Sequence, residues 1–156
     1  MNNAKMKLPE MLEILKVIYE KQMPFNRLLG IRVTSLTTTD IEIRLDMRQE
    51  LVGNFVREIL HGGVISSMLD VAGGLVASVE LLKHLEELEM EELGKRMAKI
   101  GTIDLRVDYL RPGKGEYFVA TGTILRKGSK VAVVRSELCN EQKVLIAAGT
   151  GTYLVG

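Results

Sequence analysis

Asp70 is the residue in this sequence whose chemistry is hardest to explain away. It sits inside His61–Leu82, HGGVISSMLDVAGGLVASVELL, a stretch otherwise apolar on almost every side. A helix that is hydrophobic all round belongs in a protein interior, and a charge there is costly unless paired or used. A carboxylate partly desolvated beside a pocket makes a good general base or nucleophile. The bland alternative is a buried Asp satisfied by neighbouring Ser hydroxyls or an Arg. The run opens with His61-Gly62-Gly63. Two glycines at a helix start leave N–H groups for an anion, or for a carbonyl oxygen gaining charge. His61, directly before them, is suited to positioning a substrate.

The spacing then constrains how these groups cooperate. Gly62 and Asp70 are eight residues apart, roughly 12 Å along a helix axis at ~1.5 Å per residue. Reacting groups need contacts near ~3 Å, so one chain cannot easily bring both to one carbonyl. If both serve one site, two chains contribute, with their helices side by side and antiparallel. A two-fold dimer with composite interface sites follows.

The elements that must hold this helix are legible around it. Leu8–Gln22 carries Leu8, Met11, Leu12, Leu15 and Ile18 at helical spacing, and Pro24 should stop that helix. Phe25–Leu29 reads as a short helical turn. Ile31–Leu36 and Ile41–Met47 read as strands joined by a turn at Thr37–Asp40, the second alternating Ile41, Ile43, Leu45 and Met47 against polar residues. Arg48–Leu60 is expected to be a polar-edged loop. After the central helix, Lys83–Lys99 is charged with a thin apolar stripe. It reads as a solvated extension of the central helix or as a second helix, with a break possible near Gly94. Strand-like segments Ile100–Leu110, Tyr117–Arg126, Val131–Cys139 and Val144–Val155 follow, separated by turns such as Lys127-Gly128-Ser129. Short turns imply an antiparallel sheet, and with one fully apolar helix available that sheet must curl around it. The fold class is α+β, in a single domain over residues 1–156.

Composition excludes several functions. A net charge of +1 argues against a nucleic-acid partner bound through a basic field. One cysteine, Cys139, rules out an internal disulfide framework and fits a reducing compartment. The start, MNNAKMKLPE, lacks the apolar segment of a secretory signal. Asp70 interrupts the best candidate for the ~18–20 uncharged residues of a membrane span. The expectation is a cytoplasmic protein with no membrane partner. Cys139 lies in an alternating strand and reads as a small core residue. Arg111, Lys114, Arg126, Lys127 and Lys130 sit at strand ends and turns, where solvation is the default and a phosphate-rich ligand the alternative. No metal-ligand spacing is present, and no cofactor is expected.

Asn54, His61-Gly62-Gly63, Asp70, Gly101-Thr102-Ile103-Asp104 and Tyr109-Leu110-Arg111-Pro112-Gly113, taken together, resemble the hotdog-fold acyl-CoA thioesterases of the PaaI type. The likeness is nearest to the YigI-like group of medium- and long-chain enzymes. MPFNRLLG, LHGGVISSMLDVAGGL and GTIDLRVDYLRPGKGE through KVAVVRSEL carry it over nearly the whole chain. The resemblance implies a long central helix wrapped by a curved antiparallel sheet, homodimers and often homotetramers, and an acyl-CoA substrate. It gives Asp70 the role of general base or nucleophile and the Gly62 N–H that of polarising the thioester carbonyl. His61 and Asn54 would orient the thioester, and Thr102 would hold the attacking water. Gly63, Ser67, Arg111, Arg126 and Lys127 are the further candidates for substrate contact, the last two for the CoA phosphates. A non-catalytic acyl-CoA-binding module and an enoyl-CoA hydratase or dehydratase on the same fold are the alternatives. The first would need no base; the second usually pairs His with a carboxylate in another local motif.

Overall fold

The computed structural model describes residues 5–156; the first four residues of the stretch read for a leader lie outside them. Helix α1 (Leu8–Val17) buries Met11 and Leu15, and Glu10 accepts the Lys7 N–H at 2.8 Å at its start. One π-helical turn, Ile18–Gln22, prolongs α1 and buries Tyr19. Pro24 ends that run and opens α2 (Pro24–Leu29), since its missing N–H and fixed φ suit a first helical position. Gly30, at φ 75°, closes α2 in the left-handed region where a side chain would be strained. Buried Asn26 donates to the Tyr19 carbonyl at 3.0 Å, and the Glu20 carboxylate accepts the Val33 N–H at 2.6 Å. The N-terminal segment is thereby tied to the sheet.

That sheet has six strands in the order β1 (Arg32–Leu36), β2 (Ile41–Asp46), β6 (Tyr117–Lys127), β7 (Val131–Asn140), β8 (Leu145–Leu154) and β5 (Gly101–Tyr109). Every pairing is antiparallel. The alternation read from Ile41, Ile43 and Leu45 is the buried face of β2. Phe118, Ala120, Val134, Leu138 and Ile146 continue that face across the sheet. Against it lies α3 (Gly62–Leu82), whose Met68, Leu69, Ala72, Leu75 and Ala77 are fully buried. Length and composition alone would let α3 cross a membrane, despite Asp70. Enclosure by the sheet, not the charge, makes it a core helix.

Two segments depart from the sequence reading. The loop expected at 48–60 holds a 3-10 turn and a small ribbon, β3 (Val52–Asn54) with β4 (Ile59–Leu60). Such short strands give no readable alternation. The charged insert is a second helix rather than an extension of α3, and a shorter one than 83–99: α3 stops at Leu82, and α4 spans only Met90–Met97. Between them Leu88 exchanges backbone hydrogen bonds with Met6, at 2.8 and 3.0 Å. The break therefore falls before α4 rather than at Gly94, which stays helical. Glu91–Lys95 and Glu92–Arg96 pairs one turn apart support α4, and Leu93 anchors it in the core.

Candidate active site

Asp70 projects from the middle of α3, half-buried, toward the junction of β5 and β8. Thr102 and Tyr153 face each other across those two strands as a register pair. The Thr102 hydroxyl donates to Asp70 Oδ1 at 2.8 Å. The Tyr153 hydroxyl is shared between the same Oδ1, at 3.3 Å, and the Asp70 carbonyl, at 3.2 Å. Strict alternation puts Thr102 on the polar face of its strand. The ladder slips between Thr102 and Asp104, so alternation does not carry through this end of β5. Tyr153 is buried. Desolvation first, then the charge and hydrogen bond of Asp70, push its phenol well above the ordinary range. It remains a protonated donor at any working pH.

From Asp70 a cavity of about 270 Å³ runs back along α3. Its walls are apolar: Ile18, Met23 and Phe25 from the N-terminal segment, Val71 from α3, and Met97 and Ile100 from the end of the insert. Inside it the Tyr19 hydroxyl meets the Ser78 hydroxyl at 3.0 Å, and Ser78 donates to the Gly74 carbonyl. Burial raises the Tyr19 phenol to about 12, with the Ser78 bond lowering it and the Asp70 charge raising it. A carboxylate at one end of an apolar channel suits hydrolysis of a substrate with a long aliphatic tail.

The other half of the chemistry lies at the start of α3. His61 is the N-cap, and its Nδ1 accepts the Gly63 N–H at 2.8 Å. Among the described residues no acceptor meets the Gly62 N–H. Of the two glycines, Gly62 therefore has the free donor. Its carbonyl is held by the Tyr109 hydroxyl at 3.1 Å, from the far end of β5. Gly62, Tyr109 and Arg111 line a groove that shares no residue with the Asp70 cavity. The separation expected from helical rise is thus present in the chain.

The remaining candidates fall into two places. Asn54 ends β3, and its Oδ1 accepts the Arg57 N–H at 3.1 Å in the ribbon turn beside the His61 end. Ser67 donates to the Gly63 carbonyl at 2.7 Å, and Arg111 donates to the Leu145 carbonyl at 2.9 Å. Arg126 and Lys127 lie apart from both, at the exposed end of β6. Arg126 lines a groove with Lys130 and Thr152, while Lys127 reaches the Glu80 carbonyl at 3.1 Å. Cys139 is half-buried on β7, its thiol raised by burial and by the charge of Glu137, the opposite of an activated nucleophile. Sequence reading missed Tyr153 and Tyr19 as site residues. Their sole local signal is an aromatic in an apolar segment.

A long helix in the grip of an antiparallel sheet, with an acid mid-helix and a free N–H at its start, defines a hotdog-fold hydrolase. The chain belongs to the thioesterase superfamily, whose family model matches residues 58–147. It is similar to the medium/long-chain acyl-CoA thioesterase YigI of Escherichia coli K12, at 47% identity over 93% of this chain and 94% of that one. The YigI of Salmonella typhimurium LT2 is 46% identical over the same shares. A crystal structure from Shewanella oneidensis, of a protein related to the thioesterase superfamily, superposes with a TM-score of 0.91 at 44% identity. That match covers 96% of this chain and 97% of the other.

Proposed function

We propose that this enzyme hydrolyses medium- and long-chain acyl-CoA thioesters to the free acid and CoA, with Asp70 as general base. The observation that carries the reading is the Asp70 carboxylate, held on one oxygen and standing at the mouth of an apolar cavity. The acyl chain occupies that cavity and the thioester carbonyl stops beside Asp70. Asp70 removes a proton from water as its oxygen attacks the carbonyl carbon. The oxyanion so formed accepts a hydrogen bond from a Gly62 N–H. Collapse breaks the C–S bond, and the proton held by Asp70 leaves with the CoA sulfur. His61 caps the helix through the Gly63 N–H, which leaves its ring nitrogen engaged there and not on the Gly62 N–H. Asn54 fixes the ribbon over that end.

The Gly62 in question belongs to a second copy. Strand β5 lies at the end of the sheet, and Ile103 and Tyr109 on it are 59% and 55% exposed. An unpaired edge carrying apolar side chains is a template for another strand. Two β5 edges running antiparallel about a point between Leu105 and Arg106 set Thr102 opposite Tyr109 of the partner subunit. Thr102 marks the Asp70 half-site and Tyr109 the Gly62 half-site. That register brings the two halves together twice. The CoA phosphates follow the basic rim of Arg126 and Lys130, with Lys127 beside them and Arg111 at the Gly62 groove. Dimers pair further into tetramers, and the protein works in the cytoplasm.

The test is steady-state hydrolysis of an acyl-CoA series by wild type and Asp70→Asn. Loss of a general base costs about 10²–10⁴-fold, so Asp70→Asn should be nearly inactive while still binding acyl-CoA. An asparagine variant as fast as wild type would end this mechanism.

A further inference from the structure

The Asp70 carboxylate is held asymmetrically. Both hydroxyls that reach it, from Thr102 and Tyr153, are directed at Oδ1. Among the described residues no hydrogen bond reaches Oδ2. The Tyr153 hydroxyl lies in a slot cleared for it from two sides. A Cβ on Gly73 of α3 would stand 2.1 Å from the Tyr153 oxygen, and one on Gly151 of β8 would stand 2.6 Å from it. Glycine inside a helix or a strand weakens the element, and here two elements carry one around a single phenol oxygen. The same Cβ positions would stand 2.6 and 2.9 Å from the ring carbon Cζ, so the two glycines admit the outer edge of the ring together with its hydroxyl. Without that space the phenol could not reach Asp70.

We infer that Tyr153 is a positioning residue for the base: with Thr102 it fixes Oδ1, so that Oδ2 is the atom that takes the proton from water. This rests on the reading of Asp70 as general base. A carboxylate that rotates freely presents its basic lone pairs in many directions, and a fraction of an ångström decides whether a water lies in line. Two donors on one oxygen, from paired positions of adjacent strands, fix both the rotamer and the choice of oxygen. The shared bond to the Asp70 carbonyl ties that rotamer to the helix backbone as well. The groups facing the carboxylate are Thr102 from β5, Tyr153 from β8 and Tyr19 from the π-helical turn, the last acting through space. None of these is a cation. Hydroxyl donors therefore supply the polar support that a half-buried charge requires.

The experiment compares Tyr153→Phe, Gly151→Ala and Asp70→Asn by kcat, KM and the pH dependence of kcat/KM, with thermal melting as the check of folding. Tyr153→Phe should lower kcat about tenfold with KM for a long-chain acyl-CoA unchanged. Its acidic limb should move to higher pH, because a carboxylate that loses a donor takes up its proton sooner. Gly151→Ala, which keeps the hydroxyl but displaces it, should move both in the same sense. If Asp70→Asn is inactive while Tyr153→Phe keeps wild-type kcat and acidic limb, the positioning role is wrong and the base remains. A fall in kcat with an unmoved limb would assign Tyr153 to packing and likewise overturn the inference. If Asp70→Asn retains full activity, the reading of the base itself fails.

Discussion

At the scale of single residues, the oxyanion role proposed for Gly62 rests on what that residue lacks. Among the described residues its N–H has no acceptor, because the first N–H groups of a helix have no intrahelical partner and the His61 cap takes the Gly63 N–H instead. Proline at this position offers a clean removal of that donor. Gly62 is the first residue of α3, where Pro is accommodated, and His61 before it is already extended at φ −64°, ψ 136°. Beyond its chain neighbours, a Cβ built at Gly62 meets nothing closer than the Tyr109 ring at 3.4 Å. Gly62→Pro should therefore melt close to wild type yet lose about 10²–10³-fold in kcat, the usual cost of deleting one oxyanion donor. Circular dichroism melts beside acyl-CoA turnover check both halves of that expectation.

At the scale of elements, the proposed acyl cavity lies where α3 passes the N-terminal segment, and chain-length preference is expected to be set there. The π-helical turn brings Ile18 and Tyr19 onto the cavity, and Asn26 satisfies the Tyr19 carbonyl there. Gly74 lines the cavity, and a Cβ there would just touch the Tyr19 hydroxyl at 3.4 Å, so a branched side chain would add bulk to the cavity. Gly74→Val should shift the optimum to shorter acyl groups, with kcat/KM for the longest chains falling about tenfold while short-chain turnover persists. Rates across an acyl-CoA ladder from four to sixteen carbons, roughly 1–3 kcal/mol of discrimination being at stake, measure it. A uniform loss at every length would place the channel elsewhere.

At the scale of the whole molecule, the proposed site is assembled from two half-sites, and the chain by itself holds their residues in separate grooves. Composite sites predict complementation between two dead variants. Asp70→Asn keeps the Gly62 half, and Gly62→Pro keeps the Asp70 half. Dissociated, mixed one to one and reassociated, half the dimers are mixed, and each mixed dimer regains one intact site. The mixture should recover roughly a quarter of wild-type activity from two inactive parents. Sites complete within one chain would recover none.

Much of this was written in the chain's local patterns. The apolar run around Asp70, the alternation of Ile41, Ile43 and Leu45, and the Gly-Ser turn after Lys127 each reflect a periodicity that sequence displays directly. So does the separation of Gly62 from Asp70, because helical rise is fixed. The tertiary structure decided what depends on register and packing between distant segments. Alternation alone sets Thr102 on the polar face of its strand; the slip before Asp104 leaves its hydroxyl on Asp70. Tyr153 lies 83 residues beyond the acid it supports. The charged insert has helical propensity throughout, but Leu88 pairs with Met6 and interrupts it. Periodicity is a property of neighbours along the chain, and so the acid and the helix start are legible in it. Which hydroxyls meet that acid, and on which oxygen, is settled only when β5 and β8 pair over α3.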